Sequence, residues 1–275
     1  MHPKVKQKSE DIFVVASPTY MENWYEILKD ETIESKFIPI TNDECKFLIT
    51  HGEFEFVIKD QKYKNTKYRK EIEINLKQKI LPVLKYFDNK AFFRLSSRSP
   101  KDSYFFSHSR GLVKTFEDIL RHFIDSERMV EDILANFVSK EQVWIVLRKW
   151  VEIKKFEEFR LFIINKKLVG ISQYYYKTYF KELVENFKYY QDTILEYYNK
   201  VKDIIPLENC ILDVIFIDKL PKILEINPLY ELTDSCLFDW DNDYFEKFEF
   251  RYIYKKTDDE KSALLDFFRE LEKSK

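Results

Sequence analysis

Asp213, Glu225 and Asn227 are the side chains whose types and spacing best suit metal chemistry in this sequence. They fall near the ends of two apolar runs, residues 209–217 and 222–228, joined by the turn-like Asp218-Lys219-Leu220-Pro221. That pattern predicts a β-hairpin with both strands largely buried. Glu225 and Asn227 are two residues apart and share one face of their strand, and Asp213 can face them from the partner. Buried carboxylates are costly unless a cation or hydrogen bonds compensate them. Two carboxylates and an amide suit Mg²⁺, which keeps room for water and phosphate oxygens. A solvated strand end would account for any one of the three; the set on one hairpin favours a metal.

The Asp…Glu-x-Asn set resembles the magnesium-binding end of the ATP-grasp fold. Upstream, Ala91-Phe92-Phe93-Arg94-Leu95-Ser96-Ser97-Arg98-Ser99-Pro100-Lys101-Asp102 resembles a signature of the cell division cycle protein 123 family, an ATP-grasp branch. Glu158-Phe159-Arg160-Leu161-Phe162, Leu168-Val169-Gly170-Ile171-Ser172-Gln173 and the block from Thr233 to Trp240 resemble that family's later blocks, in the same order. The resemblance covers roughly residues 90–240. It implies an α+β, ATP-grasp fold whose two lobes hold ATP and Mg²⁺ between them, with lobes expected over residues 1–147 and 148–275.

The resemblance also implies roles. Arg94 stands where the family usually has a phosphate-binding Lys; a charge amid apolar neighbours wants an anion, and Arg can grip phosphate bidentately. Ser96, Ser97, Arg98, Ser99 and Lys101 form a polar, basic loop suited to cover a phosphate tail, with Asp102 as its brace. Arg148, Lys149, Trp150 and Val151 correspond to the hinge whose backbone hydrogen-bonds adenine. Arg160 shares a strand face with Glu158; it either reaches the phosphates or forms an ordinary cross-strand ion pair. Three positions depart from the family or fold pattern. Eukaryotic members typically carry Asn-Trp-Ser at 96–98 and Asp at 225. Many ATP-grasp ligases carry an Arg at 211 or 229, where this chain has Ile211 and Leu229. The implied function is an ATP·Mg²⁺-binding assembly factor for translation initiation factor 2, contacting its gamma subunit. The alternatives are an ATP-grasp ligase or other ATP-dependent transferase, and an ATP-binding effector without turnover. The sequence assigns no catalytic residue.

The bulk properties exclude several rivals. The 275 residues carry a net charge of -2, so no global field points to nucleic acid or membrane. The basic stretch 58–90 is read as a solvated helix face. The three Cys and four His show no zinc spacing. Glycine occurs only as Gly52, Gly111 and Gly170, so neither a Walker loop nor a G-x-G-x-x-G turn can be written. No secretory signal stands out and no apolar run approaches the ~18 residues of a membrane span, so a reducing cytoplasm is expected.

The elements that must position these residues follow from periodicity. Residues 11–16 read as a short strand and 20–32 as a helix. Residues 45–50 and 53–59 read as a hairpin around His51-Gly52. Ile72, Leu76, Ile80, Val83 and Phe87 mark a helix, with Pro82 expected to kink or interrupt it. Residues 92–96 read as a strand, 97–110 as a polar loop, 114–137 as two helical segments and 142–150 as a strand. Residues 158–164 and 168–174 read as a hairpin around Asn165-Lys166-Lys167. Leu183, Phe187, Tyr190, Ile194, Tyr198 and Val201 form one stripe of a long helix. A last helix is expected to open with the capping box of Thr257 and Glu260.

Overall fold

The computed structural model describes residues 12–256 apart from residue 244, with the backbone alone of residues 12 and 13. The capping box expected at Thr257 and Glu260 lies outside the described residues. In chain order the elements are α1 (Ile12–Ala16), α2 (Met21–Leu28), β1 (Ser35–Ile40), α3 (Asn42–Ile49), α4 (Thr66–Tyr86), β2 (Ala91–Leu95), α5 (Tyr104–Ser109), β3 (Leu112–Val113), α6 (Phe116–His122), α7 (Glu127–Ser139), β4 (Val143–Lys149), β5 (Glu158–Ile164), β6 (Lys167–Gln173), α8 (Lys181–Val201), β7 (Cys210–Ile217), β8 (Leu220–Asn227) and β9 (Glu249–Arg251). The α+β class holds. A four-stranded sheet runs β1-β4-β2-β3, and a five-stranded sheet runs β8-β7-β5-β6-β9.

Local chemistry explains most of these elements, and the structure departs from expectation at five places. The segment 12–16 is helical, not a strand. Residues 45–50 belong to α3 rather than to a hairpin. Thr41 accepts from the Glu44 N–H, and Glu44 returns a bond to the Thr41 N–H, a capping box that commits the chain to a helix. Gly52 then passes so close to Ile124 that a Cβ would lie 2.3 Å from its carbonyl oxygen. Strand β1 has no counterpart in the periodicity; its Pro39 sits opposite Trp144 on an edge strand, where a missing N–H is tolerated. The turn between β7 and β8 is two residues rather than four. Asp218 and Lys219 both have positive φ, and pairing begins at Ile217 and Leu220. Helix α4 continues past Pro82 to Tyr86.

Strand alternation sorts the core. Along β4, Val143, Ile145 and Leu147 join a first apolar cluster with α3, α4, α6 and α7. The intervening Val146 joins a second cluster with Phe159, Leu161 and Leu212 of the larger sheet, Trp24 of α2 and Ile194 of α8. Arg94 pairs with Val146 and so shares that second face, as does Arg148 two residues on. The smaller sheet therefore turns two arginines toward the larger one. The larger sheet has one mainly apolar face, with Gln173 opposite Phe159 as a polar exception. Its other face is apolar at one end, where Phe162, Ile211, Leu229 and Phe238 cluster, and polar at the other.

Candidate functional site

The polar end of that face is assembled by strand register. Arg160 of β5 stands opposite Asp213 of β7, and Asp213 stands opposite Glu225 of β8. Glu158 and Asn227 join the same face as neighbours two residues along. Arg160 grips Asp213 with both carboxylate oxygens, at 2.8 Å each. Asn227 donates its Nδ2 to the same carboxylate at 2.9 Å. The expected cross-strand ion pair of Arg160 thus forms, with Asp213 as its acid. Its exposures, 5% and 1%, mean that neither charge is repaid by water.

Glu225 is held from the other sheet, with Arg94 Nη2 2.7 Å from its Oε1. Burial alone would raise the Glu225 pKa; Arg94, then Lys101, outweigh it and hold the carboxylate down at about 2. Glu158 goes the other way. Burial, reinforced by the Asp213 charge, pushes it up to about 7. Arg94 also donates to the Leu95 carbonyl at 2.8 Å and the Ser97 carbonyl at 3.0 Å, so it folds the loop over itself.

Register skips Leu224 between Glu225 and Ile223. This bulge leaves the Leu224 carbonyl free to accept from Arg148 Nη1 at 2.8 Å. Arg148 is almost fully buried and, among the described residues, pairs with no carboxylate; it also donates to Thr32 Oγ1 at 3.0 Å and Ser35 Oγ at 3.2 Å. It ties β4 to β8.

A cleft of about 410 Å³ opens onto this cluster. Its lining includes Arg98, Ser99 and Lys101 of the loop, Arg128 of α7, and Arg160, Tyr174, Glu225 and Asn227 of the larger sheet and its ends. Lys101 Nζ lies 3.0 Å from the Tyr174 hydroxyl, and the Tyr174 ring lies 5.0 Å from the Arg160 guanidinium carbon. Arg98 is fixed by Asp132, with Nη2 to Oδ1 at 2.6 Å, and Ser97 donates to the same carboxylate. Asp102 braces the loop by accepting from Ser126 Oγ at 2.7 Å and from the Arg128 N–H at 3.0 Å.

The expected residues are thus distributed unequally. Arg98, Ser99, Lys101, Arg160, Glu225 and Asn227 line the cleft. Arg94, Ser96 and Asp213 lie behind its surface, and Arg148, Lys149, Trp150 and Val151 are not part of its lining. Lining residues that the motifs did not single out include Tyr20, Arg128, Glu131, Asp132 and Tyr174. Tyr174 closes the expected strand 168–174 and follows the observed β6 by one residue. Arg128 is a cation in the first turn of a helix, a placement that sequence rules disfavour and that was available as a signal.

Among the described residues, no group of three or more His, Cys, Asp and Glu side chains is placed to hold a metal ion. The set here is two carboxylates and an amide, a donor type that fits a hard cation. Each of the two carboxylates is paired with an arginine, Glu225 with Arg94 and Asp213 with Arg160.

The family described as D123 matches residues 55–269. The chain belongs to the D123 family. A protein described as CDC123-like from Acanthamoeba polyphaga mimivirus is 28% identical over 244 residues, covering 82% of this chain and 70% of that protein. The translation initiation factor eIF2 assembly protein of Xenopus tropicalis is 29% identical over 175 residues, covering 59% of this chain and 52% of the frog protein. The chain thus spans about half the length of that relative. The solved structure of Cdc123 from Schizosaccharomyces pombe shares the fold, with a TM-score of 0.70 at 22% identity, over 88% of this chain and 98% of that one. In this D123 chain the blocks that carry the family resemblance meet in space. The Leu237 N–H donates to Ser172 Oγ at 3.1 Å, and the Phe238 ring packs on Gly170, where a Cβ would lie 2.7 Å from it.

Proposed function

We propose that this D123 protein binds ATP with Mg²⁺ in the cleft and works as an assembly factor on translation initiation factor 2. The observation that carries the nucleotide reading is the convergence of Asp213, Glu225 and Asn227 beside Arg94, Arg160 and Lys101. Acids, an amide and cations packed this closely are costly without a purpose, and they suit a cation bridging phosphate oxygens. Arg98, Ser99, Lys101 and Arg160 would face the phosphates, and Glu225, Asn227 and Asp213 would hold the metal. Bound Mg²⁺ would neutralise phosphate charge. The segment Arg148–Val151 remains our candidate for the adenine hinge, approached through its backbone. We place the lobe boundary near residue 148, toward the end of β4.

The partner reading rests on the relatives described as eIF2 assembly proteins. The gamma subunit is the first candidate, and the cytoplasm is the matching compartment; no helix among the described residues is long and apolar enough to cross a membrane. A ligase has less support. Ile211 and Leu229, where many such enzymes carry an Arg, are packed with Phe162 and Phe238. The test is a thermal shift and calorimetric titration with ATP, with and without Mg²⁺, followed by capture of purified initiation factor 2 subunits. Millimolar ATP·Mg²⁺ that neither raises the melting temperature nor gives a binding signal would remove the nucleotide reading.

A further inference from the structure

The cations lining the cleft are Arg98, Lys101, Arg128 and Arg160. Two of them are already committed: Arg160 to Asp213, and Arg98 to Asp132 and Glu131. Lys101 meets a tyrosine hydroxyl rather than a carboxylate. Among the described residues, the Arg128 guanidinium has no ion pair at all. Its place is electrostatically uphill. Helices α3 and α6 carry acids and no cation in their first turns, as the helix dipole favours; α7 puts Arg128 directly after Glu127, and α4 and α8 likewise place Lys67 and Lys181 near their starts. What sets Arg128 apart is that it lines the cleft.

The backbone there is fixed. Asp102, the neighbour of Lys101, accepts from both the Arg128 N–H and the capping Ser126 hydroxyl. The chain after Lys101 is thereby tied to the start of α7, and Lys101 and Arg128 line the same cleft as Glu225 and Asn227.

We propose that Lys101 and Arg128 form a two-point anion clamp that takes the terminal phosphate of a nucleoside triphosphate. This rests on the nucleotide reading above. With a divalent cation held at Glu225 and Asn227, the uncompensated charge of the ligand concentrates on its outermost phosphate. Arg128 supplies a planar fork that can bind two phosphate oxygens, and Lys101 a point charge beside it.

The experiment is calorimetric titration of ATP, ADP and AMP, each with Mg²⁺, into the wild type, Arg128→Gln and Arg128→Lys. Arg128→Gln should weaken ATP about tenfold, the scale of one charge-assisted hydrogen bond, and leave AMP unchanged. Arg128→Lys should fall between. Without nucleotide, Arg128→Gln should melt no lower than the wild type, since the helix dipole opposes a cation there. A wild type that binds ATP, beside an Arg128→Gln variant that loses nothing or loses all three nucleotides equally, overturns the clamp and spares the nucleotide reading. A lower melting point of the nucleotide-free variant also overturns it, by making Arg128 structural. A wild type that binds none of the three removes both.

Discussion

Replacing Asp213 by Ala should cost this protein roughly 3–5 kcal/mol, because it strands a buried guanidinium. Arg160 is 5% exposed and spends two donors on the Asp213 carboxylate at 2.8 Å each. After the substitution it keeps only the Asp234 carbonyl and the face of Tyr174. Neither carries a full negative charge. Asn227 loses an acceptor as well. For a chain of this size each kcal/mol moves the melting temperature by about 2–4 °C, so a fall of roughly 6–20 °C is expected in scanning calorimetry. The double variant Arg160→Met/Asp213→Leu removes both charges and should recover most of that loss, although it forgoes any metal site. Urea denaturation of the two single variants and the double variant gives the coupling. A loss under ~1 kcal/mol for Asp213→Ala, or a double variant no more stable than the single, would refute the claim that these charges depend on each other. The same measurement guards the ligand argument, since weak ATP binding by Asp213→Ala means little unless the folded fraction is known.

Three other outcomes can be measured. Glu158 has a folded pKa of about 7 against an ordinary value of 4.5, so the folded chain holds a proton that the unfolded chain has released. Stability should therefore fall by about 3 kcal/mol as pH rises from 4.5 to 7; Glu158→Gln should abolish that slope and exceed the wild type near pH 8, and equal stability there would contradict it. Gly170→Ala drives a methyl to 2.7 Å from the Phe238 ring and should cost about 1–3 kcal/mol, with partial rescue by Phe238→Leu; an unchanged melting curve would show that the ring moves freely. Asn227→Ala should weaken ATP·Mg²⁺ more than metal-free ADP, and an equal loss for both would point to a contact that does not run through the metal.

What could be read from the chain depended on whether the signal was local. The β5/β6 and β7/β8 hairpins have apolar runs bounded by residues that tolerate positive φ, such as Asn165 and Lys166. Helix α8 announces itself by a stripe, although Phe187 lies at the exposed margin. By contrast, Cys45–Thr50 mixes β-like residues with helix periodicity, and only the Thr41–Glu44 capping box decides between them. Strand β1 contains a proline, and its place is fixed by β4, more than a hundred residues away. The acids and the amide of the site were legible because they lie on one hairpin. Their arginine partners were not. Arg160 meets Asp213 only through the β5/β7 register, and Arg94 reaches Glu225 only because one sheet faces the other.

Helix α2 lies near the start of the chain, yet Met21, Trp24 and Leu28 are buried in the cluster made by β5, β7, β8 and α8. The segment just after it is tied to β8, where Thr32 Oγ1 donates to the Ile223 carbonyl across 191 residues of sequence. A ribosome adds roughly 5–20 residues per second, so roughly 10–40 s separate the synthesis of these two partners. Over that interval the cluster around Trp24 is completed only in stages, by β4 and β5 first and by α8, β7 and β8 last, while β1, α3 and α4 can already begin to pack. Helix α2 is therefore made well before the last strands that cover it, and its burial waits on the larger sheet.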